Sequence, residues 1–278
     1  MTLLELKATK ISVVMSVYHG DCDRYFDAAV KSLLCQTLTP SQIVIAVDGP
    51  VKKHLDGVIK KYNKMSNFTV VRLKKNVGSG AAKKVAFDFT KHPIVAIMDA
   101  DDISVPTRFE KQAPFLVNKQ ADVVGGWISE FKISPGDINR IRNVPRVHSK
   151  ILKLGKWRNP INHVSLMFTK DSYDRAGGYP NSRFCEDWEL IFRMSDSGSK
   201  IINLPEVLVN VRAGSEMIRR RGSVDHFKSE LNLFRLFYKE GYINFFEFSV
   251  NILVRLTFII LPNRFVEFLY KVILRRKR

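Results

Sequence analysis

The sequence predicts an α/β fold built on a mostly parallel, doubly wound sheet with helices on both faces. In the first half of the chain, short apolar runs rich in β-branched residues alternate with stretches whose apolar residues recur at helical spacing. Such alternation is typical of a parallel sheet. Each apolar run also ends at a polar or glycine residue, as a strand that meets a turn does. Finally, 45% of the 278 residues are hydrophobic, which is enough to bury a sizeable core.

The individual elements can be assigned in order along the chain. Apolar and β-branched runs bounded by turn residues predict strands at residues 11–17, 43–47, 68–73, 94–98 and 122–128. Apolar residues at helical spacing predict intervening helices at residues 25–34, 55–62 and 81–89. A later helix is predicted to begin at Glu186 and Asp187, because acidic residues favour the first turn of a helix.

From Tyr242 onward the chain becomes apolar, helical and finally basic. We therefore predict a first domain, residues 1–222, and a helical C-terminal region, residues 223–278. Charged residues interrupt the apolar runs of this region, which fall short of the ~20 residues that a membrane span needs. The interruptions follow helical spacing and form a polar stripe of Asn244, Glu247, Asn251 and Arg255. Because the pattern restarts after Pro262, we predict two amphipathic helices that lie on a membrane with basic groups at anionic headgroups. A helical hairpin packed on the first domain is the alternative.

The formal net charge of +18 indicates an anionic partner: nucleic acid, anionic lipid or a phosphorylated substrate. The basic residues are spread along the chain and crowd its C-terminus, without a recognisable nucleic-acid-binding motif. We therefore expect no nucleic-acid partner.

The three cysteines, Cys22, Cys35 and Cys185, include no Cys-x-x-Cys pair. This pattern argues against a disulfide framework or a structural zinc site and is compatible with a reducing compartment. Cys185 precedes two acids, which raise a thiol pKa, so we interpret it as a packing residue. The chain begins without a secretory signal pattern, and we expect its first domain in the cytoplasm.

The most informative motif is Asp99-Ala100-Asp101-Asp102, here called the acidic motif, which directly follows the apolar run 94–98. Ligands of open α/β sheets bind at the edge where the strands end, so these carboxylates are candidates for a ligand site. Carboxylate oxygens suit Mg²⁺ or Mn²⁺, which in turn can hold a diphosphate. The alternative is that Asp102 or Ser104 caps the helix that follows.

Polar motifs follow the predicted strands in a fixed order. They are Tyr18-His19, Asp48, the glycine loop Asn76-Val77-Gly78-Ser79-Gly80, the acidic motif, and the acidic pair Glu186-Asp187. This series resembles the family-2 glycosyltransferases, inverting enzymes that use nucleotide-diphosphate sugars on the Rossmann-like GT-A fold. The resemblance covers about residues 11–221 and is closest to bacterial transferases that build O-antigen or exopolysaccharide repeat units.

The resemblance implies a donor site for a UDP-sugar. Tyr18 would stack on the uracil ring, Asp48 would accept its ring N–H, and Gly78 would let the backbone approach the nucleotide. Asp99 would bind the ribose, and Asp101 would bind Mn²⁺ or Mg²⁺ at the diphosphate. Other interpretations stay open for single residues: an ordinary half-buried aromatic for Tyr18, and for Asp48 a turn with the Gly49 and Pro50 that follow it.

The resemblance also assigns Asp187 as the general base and Glu186 as its neighbour, although both acids also suit a helix N-terminus. Arg219, Arg220 and Arg221 would form a basic loop over the donor diphosphate, or simply a solvated charge run. Lys74 and Lys83 are expected to be solvated, with added positive charge beside the glycine loop as the alternative. His163 is expected to be structural, with a place in the acceptor site as the alternative.

The function that the resemblance implies is transfer of one hexose, galactose or glucose, from a UDP-sugar to a lipid-diphosphate-linked sugar such as GlcNAc-diphosphoundecaprenol. The enzyme would act at the cytoplasmic face of the bacterial inner membrane as a peripheral or monotopic protein. The chain lacks the Gln-x-x-Arg-Trp pattern of processive synthases, which favours single transfer. The alternatives are a sugar nucleotidyltransferase and a non-catalytic basic protein that binds membrane or nucleic acid.

Overall fold

The structure is a computed structural model that describes residues 6, 8–181, 184–213, 224–260 and 276–277. Its strands are β1 (Ile11–Tyr18), β2 (Gln42–Asp48), β3 (Phe68–Arg72), β4 (Ile94–Met98), β5 (Ile103–Ser104), β6 (Val123–Phe131), β7 (Arg140–Arg142), β8 (Met167–Thr169), β9 (Ile201–Arg212) and β10 (Arg276–Lys277). Its helices are α1 (Asp23–Leu34), α2 (Lys53–Tyr62), α3 (Ser79–Asp88), α4 (Arg108–Val117), α5 (His148–Gly155), α6 (Lys170–Arg175), α7 (Glu186–Asp196), α8 (Val224–Lys239) and α9 (Phe245–Ile260), with a 3₁₀ turn at His163–Ser165.

The first half of the chain forms a parallel sheet in the spatial order β4-β1-β2-β3. Within this sheet, Tyr18 at the end of β1 is the register partner of Asp48 at the end of β2. The helices between these strands provide the crossover connections that parallel pairing requires. The predicted strand–helix alternation is therefore confirmed here.

The second half of the chain makes the sheet mixed. Strand β8 pairs antiparallel with both β4 and β6, and β7 pairs antiparallel with β6. Strand β9 then runs parallel to β6 and antiparallel to the short β5, which directly follows the acidic motif. The α/β class with helices on both faces is confirmed, while parallel pairing is concentrated in the first half.

Alternation along the strands divides the core between the two faces of the sheet. Val13, Met15 and Val17 of β1 pack in the cluster that includes α1, α2 and α4. Val14 belongs to the opposite cluster, which includes residues of α3, α5, α6 and α7. Successive side chains of a strand point to opposite faces, so apolar residues at consecutive positions bury both faces.

The C-terminal helices pack on α7 through an aromatic cluster. Trp188 and Phe192 of α7 are buried against Phe234 and Phe237 of α8, together with Ile243 before α9. The predicted boundary between residues 222 and 223 lies outside the described residues, as do Pro262 and the second predicted amphipathic helix. None of the described helices combines the length and hydropathy needed to cross a bilayer.

The polar stripe of α9 has the opposite orientation to the one predicted. Asn251 is only 1% exposed, and its side-chain amide donates to the Lys156 carbonyl. The Glu247 carboxylate pairs with the Lys156 ammonium, and Arg255 donates to the Trp157 carbonyl. The stripe therefore faces the first domain, as in the hairpin alternative. There it bonds the backbone carbonyls and the lysine charge that follow α5.

Candidate active site

Three of the predicted donor residues lie at one edge of the sheet. Tyr18 and Asp48 are the last residues of β1 and β2, and Asp99 directly follows β4. These strands are parallel neighbours and therefore end at the same edge. The Tyr18 ring lies over Gly20, where an added Cβ would be 2.5 Å from the ring, and the side chain is 40% exposed. An aromatic face thus stands at the site's edge, although stacking on a base remains a prediction.

Asp48 holds the glycine loop in place. Its carboxylate accepts hydrogen bonds from the backbone N–H groups of Val77 (2.7 Å) and Gly78 (3.0 Å). Gly78 has φ +96°, a left-handed conformation that favours glycine. The Asp48 carboxylate is thus engaged in fixing the loop, and its predicted bond to the uracil N–H is not tested by these contacts.

Lys83 is a buried member of the site, so the expectation of a solvated lysine was wrong. Its ammonium donates to the Asp99 carboxylate (2.8 Å) and to the Ser79 hydroxyl (2.7 Å), and its side chain is 4% exposed. Burial alone would lower the pKa of Lys83, but the charge of Asp99, with smaller contributions from Glu186 and Asp187, raises it. Burial raises the pKa of Asp99, but Lys83 and the other positive groups nearby together outweigh it, so the pKa of that carboxyl is lowered.

The carboxylates around the acidic motif repel one another. Burial and the charge of Asp99 raise the pKa of Asp101, and burial with both neighbouring charges raises that of Asp102. Asp21, which sequence reasoning did not select, joins them. Burial, opposed by the Tyr18 N–H and reinforced by Asp101, raises its pKa to about 6. The sequence signal for Asp21 was its position just after β1.

A divalent cation fits this electrostatic setting, because it would offset the crowded negative charge at Asp101. Within the described ranges, no three acidic, histidine or cysteine side chains are grouped closely enough to hold a metal by themselves. Asp101 would therefore supply one ligand, and diphosphate and water oxygens would supply others.

The helix-cap alternative for the acidic motif is wrong. The N-cap of α4 is Thr107, and the Asp102 carboxylate instead accepts the backbone N–H of Arg212 at 2.9 Å. Ser104 is buried and receives a hydrogen bond from Gln36. The Arg212 guanidinium stacks on the Tyr25 ring and donates to the Asp101 carbonyl, so the end of β9 is tied to the motif.

The acidic pair begins α7, and it directly follows a strained residue, Cys185, with φ +64°. Asp187 has a fixed orientation. One carboxylate oxygen accepts a hydrogen bond from the side-chain amide of Asn159 (2.6 Å), and the other accepts one from the backbone N–H of Trp188 (2.8 Å). Glu186 lies against Gly80 of the glycine loop, where a Cβ would be 2.6 Å from its Cγ. The acidic pair is thus next to the loop that Asp48 holds.

Glu186 binds its proton more tightly than an ordinary glutamic acid does. Burial and the neighbouring Asp187 charge raise the pKa of Glu186 to about 7, a shift that Lys83 opposes. Burial, followed by nearby acids including Glu230, raises the pKa of the Cys185 thiol, and Cys185 packs against the aromatic cluster. This agrees with the packing role expected of it.

Sequence reasoning missed Asn159, whose segment carried no recognisable signal. His163 was expected to be structural, and its ring bonds the Tyr179 hydroxyl at 2.8 Å. Burial and the Lys83 charge lower the pKa of His163. Arg219, Arg220 and Arg221 lie outside the described residues, so their role as a basic loop remains a prediction.

Comparisons with known proteins identify the family of the chain. The family model Glycosyl transferase family 2 matches residues 12–178. The chain is 34% identical over 268 residues to the UDP-Gal:alpha-D-GlcNAc-diphosphoundecaprenol beta-1,3-galactosyltransferase of Escherichia coli, covering 96% of this chain and 97% of that protein. This chain belongs to glycosyltransferase family 2. The family is therefore confirmed as predicted. A second relative is the amylovoran biosynthesis glycosyltransferase AmsE of Erwinia amylovora, which is 32% identical over 260 residues, covering 94% of this chain and 97% of that protein.

Solved structures confirm the predicted GT-A fold. The mannosyltransferase PcManGT from Pyrobaculum calidifontis, in complex with GDP-Man and Mn²⁺, matches with a TM-score of 0.63 at 18% identity, covering 94% of this chain and 73% of that one. S. aureus TarS 1-349 in complex with UDP matches with a TM-score of 0.62 at 16% identity. That match covers 83% of this family-2 glycosyltransferase and 66% of the TarS chain.

Proposed function

We propose that this family-2 glycosyltransferase transfers one galactose or glucose from a UDP-sugar to GlcNAc-diphosphoundecaprenol or a similar lipid-diphosphate-linked sugar, with inversion. The observation that carries the proposal is the similarity to the Escherichia coli galactosyltransferase, which extends over 96% of this chain and whose name specifies that donor and acceptor. Such a step belongs to the synthesis of O-antigen or exopolysaccharide repeat units.

The donor would bind at the sheet edge formed by Tyr18, Asp48, Gly78 and Asp99. The exposed Tyr18 ring suits base stacking, and the loop fixed by Asp48 offers backbone groups to the nucleotide. Arg219, Arg220 and Arg221 would add positive charge at the diphosphate, since arginine forks match phosphate oxygens.

Inversion would proceed by direct displacement at the anomeric carbon. The acceptor hydroxyl oxygen bonds to that carbon while the bond to the UDP oxygen breaks, and the hydroxyl proton passes to Asp187. The two hydrogen bonds that orient Asp187 support this role, because a general base must hold its lone pair in a defined direction. Glu186 would keep negative charge beside it.

A Mn²⁺ or Mg²⁺ ion held by Asp101 would stabilise the negative charge that develops on the leaving UDP. The raised pKa of Asp101 supports this assignment, because crowded carboxylates favour a bound cation.

The acceptor lipid suggests that the enzyme works at the cytoplasmic surface of the inner membrane as a peripheral protein. The outer face of α9 supports membrane contact, because Phe245, Phe246 and Leu253 are 68%, 72% and 65% exposed. Apolar side chains of this kind enter the interface of a bilayer, and the net charge of +18 favours anionic lipid. The contact surface would thus be the apolar face of α9, opposite the polar stripe.

The proposed reaction is tested with radiolabelled UDP-galactose and UDP-glucose and a GlcNAc-diphosphate lipid acceptor. We expect a disaccharide lipid and release of UDP. Release of pyrophosphate from a nucleoside triphosphate would instead identify a sugar nucleotidyltransferase, and donor binding without turnover would identify a non-catalytic protein.

Membrane contact is tested by sedimentation with phosphatidylglycerol-containing vesicles. Replacing both Phe246 and Leu253 by serine should reduce the bound fraction at unchanged transfer to a water-soluble acceptor. Equal binding of the variant and the wild type would contradict a membrane role for this face.

A further inference from the structure

The segment of residues 155–159, which follows α5, is bound on one side by α9. The Glu247 carboxylate pairs with the Lys156 ammonium at 3.0 Å. The Asn251 amide donates to the Lys156 carbonyl at 2.9 Å, and Arg255 donates to the Trp157 carbonyl at 2.7 Å. Residues on three successive turns of α9 therefore hold two adjacent residues of the segment.

The same segment is bound on its other side to the start of α7. The Asn159 amide donates to the Asp187 carboxylate at 2.6 Å. The Trp188 indole N–H donates to the Gly155 carbonyl at 2.9 Å. Asp187 thus accepts a hydrogen bond from this segment, and the next residue, Trp188, is bound to the same segment.

The contacts between α9, this segment and α7 are largely buried. Asn251 and Trp188 are 1% and 4% exposed, so their hydrogen bonds are shielded from competing water. Asn244 and Glu247 also cap the first turn of α9, because the backbone N–H of each donates to the side-chain oxygen of the other, at 2.9 and 2.8 Å. The residue that pairs with Lys156 is therefore fixed within the first turn of the helix.

We propose that α9 positions the catalytic base. By holding residues 155–159, it fixes Asn159, and the Asn159 amide orients the carboxylate of Asp187. The proposal rests on Asp187 being the base, as in the proposed function. Asn251, Arg255 and Asn159 are then positioning residues, and the helix whose outer face contacts the membrane also sets the geometry of the acceptor side.

The test is a double-mutant cycle in the full-length protein without membranes. Asn251→Leu, Asn159→Ala and the double variant are assayed with UDP-galactose and GlcNAc-diphosphate on a short, water-soluble alkyl chain. Each single variant should lower kcat roughly 10- to 100-fold, with KM for UDP-galactose unchanged, because a misplaced base costs about that much. The double variant should be no slower than Asn159→Ala, because both changes act on one contact.

The matched control is Ser249→Ala on the same helix, since among the described residues the Ser249 hydroxyl bonds only to the Phe245 carbonyl within α9. It should keep the wild-type kcat. Multiplicative losses in the double variant, or an unchanged kcat in Asn251→Leu, would overturn the proposal. If Asn251→Leu fails to fold, Arg255→Met replaces it and should lower kcat. Arg255→Lys should keep most of the wild-type kcat, since lysine retains a donor for the Trp157 carbonyl. Equal losses of kcat in the two Arg255 variants would also overturn the proposal.

The outcome separates this proposal from the proposed function. If Asp187→Asn is inactive while Asn251→Leu keeps full kcat, only the positioning role of α9 fails. If Asp187→Asn retains transfer, or the wild type transfers no sugar, the base assignment fails and the positioning role fails with it. Hydrogen exchange provides a readout without activity: amides at 155–159 and 186–188 should exchange faster in Asn251→Leu than in Ser249→Ala, and equal rates would count against the proposal.

Discussion

Replacing Glu186 by glutamine should stabilise the protein at alkaline pH. Burial and the neighbouring Asp187 charge raise the pKa of Glu186 from 4.5 to about 7. A shift of this size corresponds to about 3 kcal/mol of cost for ionising the folded protein. Because Glu186 is partly exposed, solvent screening reduces the expected value to about 1.5–3 kcal/mol.

The direction of the effect follows from the sign of the shift. The folded pKa lies above the unfolded value, so the stability contributed by protonated Glu186 is fully present below pH 4.5 and is lost as the pH rises through about 7. The Glu186→Gln variant has no proton to lose at this position and therefore does not acquire the buried negative charge. Its advantage over the wild type should therefore appear between these two pH values and reach its full size above pH 8.

Urea unfolding at pH 5 and pH 8.5 measures this difference. The control is Glu189→Gln on the same helix, which removes a carboxylate that is paired with Arg193 and should give no gain at pH 8.5. If Glu186→Gln has the same relative stability at both pH values, or is less stable than the wild type at pH 8.5, the inferred cost of ionising the buried Glu186 beside Asp187 is refuted.

Three further predictions concern the catalytic groups. Asp101→Asn should abolish transfer in a folded protein, EDTA should silence the wild type, and Mn²⁺ or Mg²⁺ should restore it; full activity in EDTA would exclude the metal role. Asp187→Asn should lower kcat about 10²- to 10⁴-fold with donor affinity nearly intact, and Glu186→Gln should lower kcat less. The reverse ranking in steady-state assays would make Glu186 the base. Lys83→Met should lower the free energy of unfolding, measured in urea, by about 2 kcal/mol, because it leaves the charge of Asp99, which is 37% exposed, without its partner. Adding Asp99→Asn should recover part of that loss.

The arrangement of the donor residues was predictable because it depends on local patterns. Tyr18, Asp48 and Asp99 each end an apolar run, and parallel strands bring such ends to one edge. The same reasoning failed for Lys83, since composition favours an exposed lysine. A local signal did exist: Lys83 lies four residues after Ser79, on a helix whose buried residues include Ala82 and Ala86.

The orientation of α9 could not be derived from its own sequence. A helix with one polar stripe can turn that stripe to water or to unpaired groups of another element, and both choices have the same periodicity. Here the carbonyls of Lys156 and Trp157, about a hundred positions away, decide the outcome. Asn159 was missed for the same reason, because its partner Asp187 is 28 residues distant.

The two halves of the proposed reaction share one buried cation. Lys83 bonds Asp99 on the donor side, and the charges of Glu186 and Asp187 on the acceptor side also contribute to its raised pKa. In a buried site, the nearby cation makes each carboxylate easier to ionise, and the other carboxylates make it harder to ionise. Neutralising a carboxylate on one side would therefore remove repulsion from the carboxylates on the other side, which would then ionise more easily. Mutations in the acidic motif should consequently alter the pH dependence that the acidic pair gives to catalysis, even without direct contact between them.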